Sequence, residues 1–248
     1  MSLLRAAELQ KALRAGAFRL AYQPIVDLAT RRLHHYEVLA RFDGDSSPIS
    51  KVLLAERTGL SAEFDLAVCN AVIGILLAKG RTAPPCGVAV NLSGHSLQDA
   101  AFVEELLAVL ARGRTGPDKI LIEVTETAEI SDLEGVNATL EKLRRLGHPV
   151  CIDDLAADNT NLRYLRAFDV DYAKIDGSFT KAIVTSGVER SILDAMLGLC
   201  RDRGVPIIAE QVETEQEAHQ LRAAGVQYGQ GYLFGRPLSP LPESPDTL

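Results

Sequence analysis

Apolar and polar positions fall along this chain in two alternating kinds of block. Short runs of Val, Ile, Leu and Ala are each followed by a longer stretch with apolar residues every three or four positions. The first pattern marks a strand buried on both faces, the second a helix with one apolar side. From the amino terminus, Leu3 to Ala15 predicts a short amphipathic helix, Phe18 to Val26 a strand broken only by Pro24, and Leu33 to Arg41 a second strand. The turn between those strands is tight and charged, so they are expected to run antiparallel. A helical stretch covers Ser50 to about Lys79, interrupted near Thr58 and Gly59.

Strand and helix then alternate. Gly87 to Leu92 precedes a helix over Phe102 to Ala111, and Ile120 to Thr125 precedes one over Leu133 to Leu146. Val150 to Asp176 holds two strands around a helix whose apolar spacing is Leu162, Leu165 and Phe168. Ser186 to Arg203 predicts a helix, Pro206 to Glu210 a strand, Glu215 to Ala224 a helix, and Val226 to Tyr232 the last strand. About eight strands, most followed by a helix, predict an α/β fold of the TIM-like (β/α)8 type. Its core is expected over about 18–237 of a single domain covering 1–248, with an extended tail, rich in Pro and Ser, over 238–248.

Composition agrees with one large domain: 248 residues, 47% hydrophobic and 24% charged, against about 250 residues for a typical α/β barrel. A net charge of -7 argues against a partner that is a nucleic-acid polymer or a membrane surface, since both require a basic face. No run resembles a membrane span of about 20 apolar residues, no signal peptide precedes the domain, and a cytoplasmic location is expected. Cys69, Cys86, Cys151 and Cys200 share no metal-like spacing and read as free thiols of a reducing compartment. His34, His35, His95, His148 and His219 show no ligand spacing either and read as surface or rim residues.

The chemistry lies at the strand ends. Each strand from the second onward ends in a polar residue: Glu37, Asn91, Glu123, Asp153 with Asp154, Lys174, Glu210 and Gln230. Singly, each has a bland explanation: Glu37 as a partner for Arg41, Asn91 as a helix cap, Lys174 as a lysine reaching the rim with its stem packed. In a barrel, however, the carboxyl ends of the strands converge on one mouth, so these side chains meet. Carboxylate and amide oxygens are hard ligands that suit Mg²⁺ or Mn²⁺, and the absence of His and Cys among them disfavours zinc. Two such ions can clamp a phosphodiester and activate water. Lys174 can orient that water, deprotonate it, or neutralise transition-state charge, and sequence does not separate these roles.

The segments 22–25 (YQPI), 36–41 (YEVLAR), 90–93 (VNLS), 122–126 (IEVTE), 152–154 (IDD), 174–176 (KID), 209–213 (AEQVE) and 230–234 (QGYLF) resemble, in order and spacing, the signature motifs of the EAL domain family. The resemblance runs from about Phe18 to Pro237. It implies a TIM-like barrel with its first strand antiparallel, and hydrolysis of cyclic di-GMP to pGpG with two ions of Mg²⁺ or Mn²⁺. By the same resemblance Glu37, Asn91, Glu123 and Asp153 hold the first metal, and Asp153, Asp154 and Glu210 the second. Lys174 and Gln230 serve the attacking water and its network, with Glu37 and Glu210 counted among the catalytic groups. Gln23, Leu39 and Arg41 contact substrate, Glu126 supports the loop after Asp154, and a homodimer is implied through that loop and the helix from Leu162.

Four departures stand out. Val38 replaces the name-giving alanine, Leu155 to Asn161 lacks the glycines usual in that loop, and Gly177 and Gln211 stand where Arg and Gly are usual. The second reading is therefore a cyclic di-GMP receptor or protein-interaction module with little turnover; an unrelated metal-dependent barrel enzyme is the third. Restoring glycine at Ala156 and Asp158 is expected to raise phosphodiesterase activity. Unchanged turnover at saturating Mn²⁺ would count against a role for the loop.

Overall fold

The computed structural model describes residues 2–42, 49–79, 87–112, 120–125, 130–155, 161–184 and 187–242. Eight strands close into a barrel in sequence order: β1 (Arg19–Asp27), β2 (Leu33–Arg41), β3 (Gly87–Ser93), β4 (Ile120–Thr125), β5 (Val150–Leu155), β6 (Tyr172–Ile175), β7 (Ile207–Ala209) and β8 (Tyr228–Gln230). β1 pairs antiparallel with both β2 and β8, and the other neighbours pair parallel. The reversal follows from the turn after β1. Asp27 Oδ1 accepts from the Ala29 and Thr30 amides at 2.9 and 2.7 Å, and Arg31 takes a left-handed φ of 60°. A carboxylate closing its own turn leaves no room for a crossover helix, so β2 must return alongside β1.

The helices α1 (Ser2–Ala15), α2 (Ile49–Thr58), α3 (Ser61–Lys79), α4 (Ala100–Arg112), α5 (Leu133–Arg145), α6 (Asn161–Ala167), α7 (Gly177–Ala182), α8 (Val188–Asp202) and α9 (Glu215–Ala223) pack on the outer faces of these strands. Leu106, Leu140, Leu165, Leu193 and Leu221, each from a different helix, are completely buried against the sheet. By length and composition α3 passes as a membrane span, contrary to the expectation that none would. Its Val68, Val72, Ile73 and Leu76 are nonetheless buried in the barrel's outer core. α7 is an element that hydrophobic spacing does not reveal. It starts directly after β6, capped by the Asp176 carboxylate, which accepts from the Ser178 amide at 2.9 Å. Cys69, Cys151 and Cys200 are buried free thiols, and Cys86 lies outside the described residues.

A second, smaller core fills the barrel itself. Ile25, Ala89, Leu121, Cys151 and Ile208 form it, with Tyr172 and Tyr228 packed on it. Side chains two apart on a strand share a face. Ala89, Leu121, Cys151, Tyr172, Ile208 and Tyr228 therefore lie one step below Asn91, Glu123, Asp153, Lys174, Glu210 and Gln230. The barrel interior has an apolar lower tier and a polar upper tier.

The tail also contributes. β8 pairs with β1 only along Ile25 to Asp27, which leaves the upper edge of β1 open. Leu238 fills that edge, exchanging backbone hydrogen bonds with Tyr22 at 2.7 and 2.9 Å, and Leu241 is buried. Leu241→Ala is expected to lower stability by about 2–4 kcal/mol in urea unfolding. A loss under about 0.5 kcal/mol would mark the tail as a loose appendage.

Candidate active site

The centre of the upper tier is Lys174, wholly buried on β6. Its ammonium lies 2.7 Å from Glu210 Oε1, 3.1 Å from Glu123 Oε2, 3.4 Å from Asp153 Oδ1 and 3.5 Å from Glu37 Oε2. Four strand ends thus supply carboxylates to one lysine on a fifth. Glu37 is gripped further: Asn91 Nδ2 donates to its Oε1 at 2.8 Å and Gln230 Nε2 to its Oε2 at 2.6 Å. Gln230 also donates to Gln23 Oε1 at 3.2 Å. Leu39 and Arg41 line a cavity of about 430 Å³ that opens beside Glu37, Asn91, Asp153 and Asp154, with Val52 and Phe64 on its apolar wall. Of the residues expected at the site, only Glu126 and the loop 156–160 lie outside the described residues, and of the dimer contact expected through that loop and the helix from Leu162 only α6 is described.

The balance of charge decides the protonation states. Burial pulls the Lys174 ammonium down, but Asp153, Glu123, Glu210 and Glu37 together hold it well above its ordinary value. Lys174 is therefore a cationic donor in this state and not a base. Burial also pushes up Glu37, yet the Lys174 charge and the hydrogen bonds from Gln230 and Asn91 outweigh it, leaving this carboxylate lowered. Glu123 goes the other way, driven well above the carboxylate range by burial and by its neighbours Glu37 and Asp153. Burial, with the charges of Asp153 and Glu37 added, pushes Glu210 up to about 8, and burial beside Asp153 brings Asp154 to about 6. One lysine is too little positive charge for this many carboxylates.

The donor set fits a divalent cation. Asp153, Asp154 and Glu210 each place a carboxylate oxygen within 4.8 Å of the others. Among the described residues, Asn91 Oδ1 and Gln230 Oε1 are buried acceptors without a hydrogen-bond partner. Oxygen acceptors that lack a donor, beside carboxylates that lack a countercharge, are what Mg²⁺ or Mn²⁺ would satisfy.

Backbone strain sits at the same place. Asp154 and Gln211, both next to candidate ligands, hold left-handed φ values of 52°. Non-glycine residues take this conformation at a cost, and such strain collects where side chains must be aimed. The Gln211 side chain lies over Gly177, where an added Cβ would stand 2.2 Å from Gln211 Cδ. Two of the departures read from sequence are thus one packing arrangement, in which Gln211 occupies the space that a side chain at 177 would need. Lys181 on α7 ties this loop down, donating to the Gln211 carbonyl at 3.2 Å and to Glu217 at 2.9 Å.

One expectation is overturned. His35, read as a rim residue, is 3% exposed and belongs to the lower tier, two residues before Glu37 on the inward face of β2. Burial, helped by the neighbouring His34 and Lys174, holds its imidazole well below the ordinary histidine range, so the ring is neutral. The signal was available in the strand period that places Glu37 inside. Asp65 on α3 escaped sequence reasoning altogether. It is buried at the cavity wall, its Oδ2 accepts from the Ser93 amide at 2.9 Å, and burial pushes it up to about 7.

These features define a TIM-like barrel domain with an acidic centre at its mouth. Residues 6–237 match the EAL domain family, and the chain belongs to it. Cyclic di-GMP phosphodiesterase PA2567 of Pseudomonas aeruginosa is 32% identical over 227 residues, 90% of this chain and 39% of that protein. The chain thus spans well under half of that relative. The solved PaMucR phosphodiesterase, in complex with c-di-GMP, superimposes with a TM-score of 0.82 at 29% identity, covering 96% of this chain and 98% of that one. The FimX EAL domain from Pseudomonas aeruginosa, bound to c-di-GMP, gives a TM-score of 0.81 at 27% identity over 93% of this chain and 95% of that one.

The raised carboxyls make stability depend on pH. Glu210 and Asp154 bind more protons folded than unfolded between their ordinary and raised values, so they destabilise the fold as pH rises toward 8. The buried imidazoles of His34 and His35 act oppositely but only up to about their ordinary 6.5. The metal-free domain is therefore expected to lose thermal stability between about pH 7 and 8.5, and Mn²⁺ to restore it with release of protons. A midpoint flat across that window, with or without Mn²⁺, would contradict this charge balance.

Proposed function

We propose that this domain hydrolyses cyclic di-GMP to linear pGpG with two divalent ions, Mg²⁺ or Mn²⁺, held by its upper tier. The observation that carries the reading is the ring of Glu37, Glu123, Asp153 and Glu210 around Lys174, with Asp154 and Glu210 extending it on one side. In this assignment Glu37, Asn91, Glu123 and Asp153 hold one ion and Asp153, Asp154 and Glu210 the other. The ions would supply a low-pKa water and positive charge for the phosphodiester oxygens.

The chain's own residues then divide the work. Arg41, on the cavity wall beside Glu37, would bind a phosphate oxygen, and Leu39 with Phe64 would offer an apolar surface to a base. Lys174 donates to the carboxylates that hold the ions, keeping them in register, and adds positive charge next to the reacting phosphate. Gln230 anchors Glu37 through Nε2 and leaves Oε1 free to accept from a water or a substrate donor. The three buried free thiols fit a reduced, cytoplasmic setting.

Chromatography of cyclic di-GMP incubated with the domain and Mg²⁺ or Mn²⁺ tests this reading. Appearance of pGpG is expected in the wild type, with a loss of about 100-fold or more in Glu37→Ala at unchanged circular dichroism. Intact nucleotide that the domain nevertheless binds would establish a receptor.

A further inference from the structure

Beneath the candidate metal centre, two buried polar atoms without a hydrogen-bond partner face each other. His35 Nε2 and Glu123 Oε1 stand 4.0 Å apart, with the two residues 3% and 0% exposed, and neither atom has a partner among the described residues. Strand alternation puts them there, His35 in the lower tier of β2 and Glu123 in the upper tier of β4. On its other side, His35 Nδ1 lies 2.7 Å from Nδ1 of His34, and His34 Nε2 lies 3.5 Å from the Tyr172 hydroxyl. Tyr228 packs its ring on His34 at 4.3 Å between centroids, so the His34 ring is held in place.

With a bound cation keeping Glu123 ionised, these contacts fix where the ring protons are. A neutral imidazole has one N–H and one acceptor nitrogen, so of two Nδ1 atoms at 2.7 Å one donates and the other accepts. If His35 donated from Nδ1, its bare Nε2 would set a lone pair against the carboxylate oxygen of Glu123. If His34 donates instead, every contact is matched. Tyr172 donates to His34 Nε2, His34 Nδ1 donates to His35, and the proton of His35 sits on Nε2 facing Glu123 Oε1. At 4.0 Å the last contact is not a hydrogen bond in the metal-free chain, and it is the one step of the relay that has to shorten.

We propose that His35 is a positioning residue, its tautomer set by His34 and Tyr172. It holds Glu123 Oε1 downward so that Oε2, 3.1 Å from Lys174, faces the metal centre. The proposal rests on Glu123 being a metal ligand. It assigns to this chain a directed relay, hydrogen-bonded from Tyr172 through His34 to His35 and aimed from there at that ligand.

Two measurements test it. In ¹⁵N spectra of histidine-labelled wild-type domain with Mg²⁺ present, the His35 proton is expected on Nε2 and the His34 proton on Nδ1. In titration calorimetry with Mn²⁺, His35→Leu is expected to bind about 10- to 100-fold more weakly, with His35→Gln, which retains an N–H donor, recovering most of the loss. A packing role alone predicts the reverse order, because leucine suits a tier built from Ile25, Leu121 and Ile208. A His35 proton on Nδ1, or wild-type affinity in His35→Leu, overturns the proposal. Failure of the wild type to bind Mn²⁺ at all would instead remove the metal reading on which the proposal rests and overturn both, an outcome distinct from wild-type affinity in His35→Leu.

Discussion

A buried ammonium among buried carboxylates is the constraint on which the rest of this barrel depends. Lys174 has no access to water, and an isolated charge so placed costs several kcal/mol. Glu37, Glu123, Asp153 and Glu210 remove that penalty, but each brings its own desolvation cost, and together they exceed what one lysine offsets. The arrangement is stable only because each carboxylate comes from a different strand of a closed sheet, whose hydrogen-bonded register leaves it nowhere else to go. What remains is a surplus of negative charge aimed at one point, which is the physical meaning of a cation site.

The two tiers of the barrel interior explain how a rigid floor supports that surplus. Ile25, Ala89, Leu121, Cys151 and Ile208 close the lower half to water, so the polar upper tier meets solvent only through the mouth. Low dielectric below strengthens each interaction above it. His34 and His35 break the apolar floor where the structure gains by it, since an imidazole can occupy core volume and still present a donor upward.

Two of the departures from the family pattern, Gly177 and Gln211, form one local repacking. Gly177 and Gln211 share one volume, and Lys181 clasps the carbonyl of Gln211 while capturing Glu213 and Glu217. The loop that carries Glu210 is thereby tied to α7, the element that follows Lys174. The two sides of the Lys174–Glu210 contact are therefore coupled through backbone as well as charge.

Much of this was legible beforehand, for a definite reason. Strand and helix periods appear directly in the order of apolar residues, and a barrel forces the ends of its strands together, so Glu37, Asn91, Glu123, Asp153, Asp154, Lys174, Glu210 and Gln230 could be named as one site from linear spacing alone. Packing between segments distant in sequence has no such signature. The docking of Leu238 on Tyr22, the burial of Asp65 against Ser93 and the contact of Gln211 with Gly177 each join residues 28 or more positions apart, or 34 in the last case. His35 lay between the two cases. Its strand and its inward face follow from the position of Glu37, but whether an inward histidine meets water or a carboxylate depends on what β4 brings opposite it, and only the closed barrel decides that.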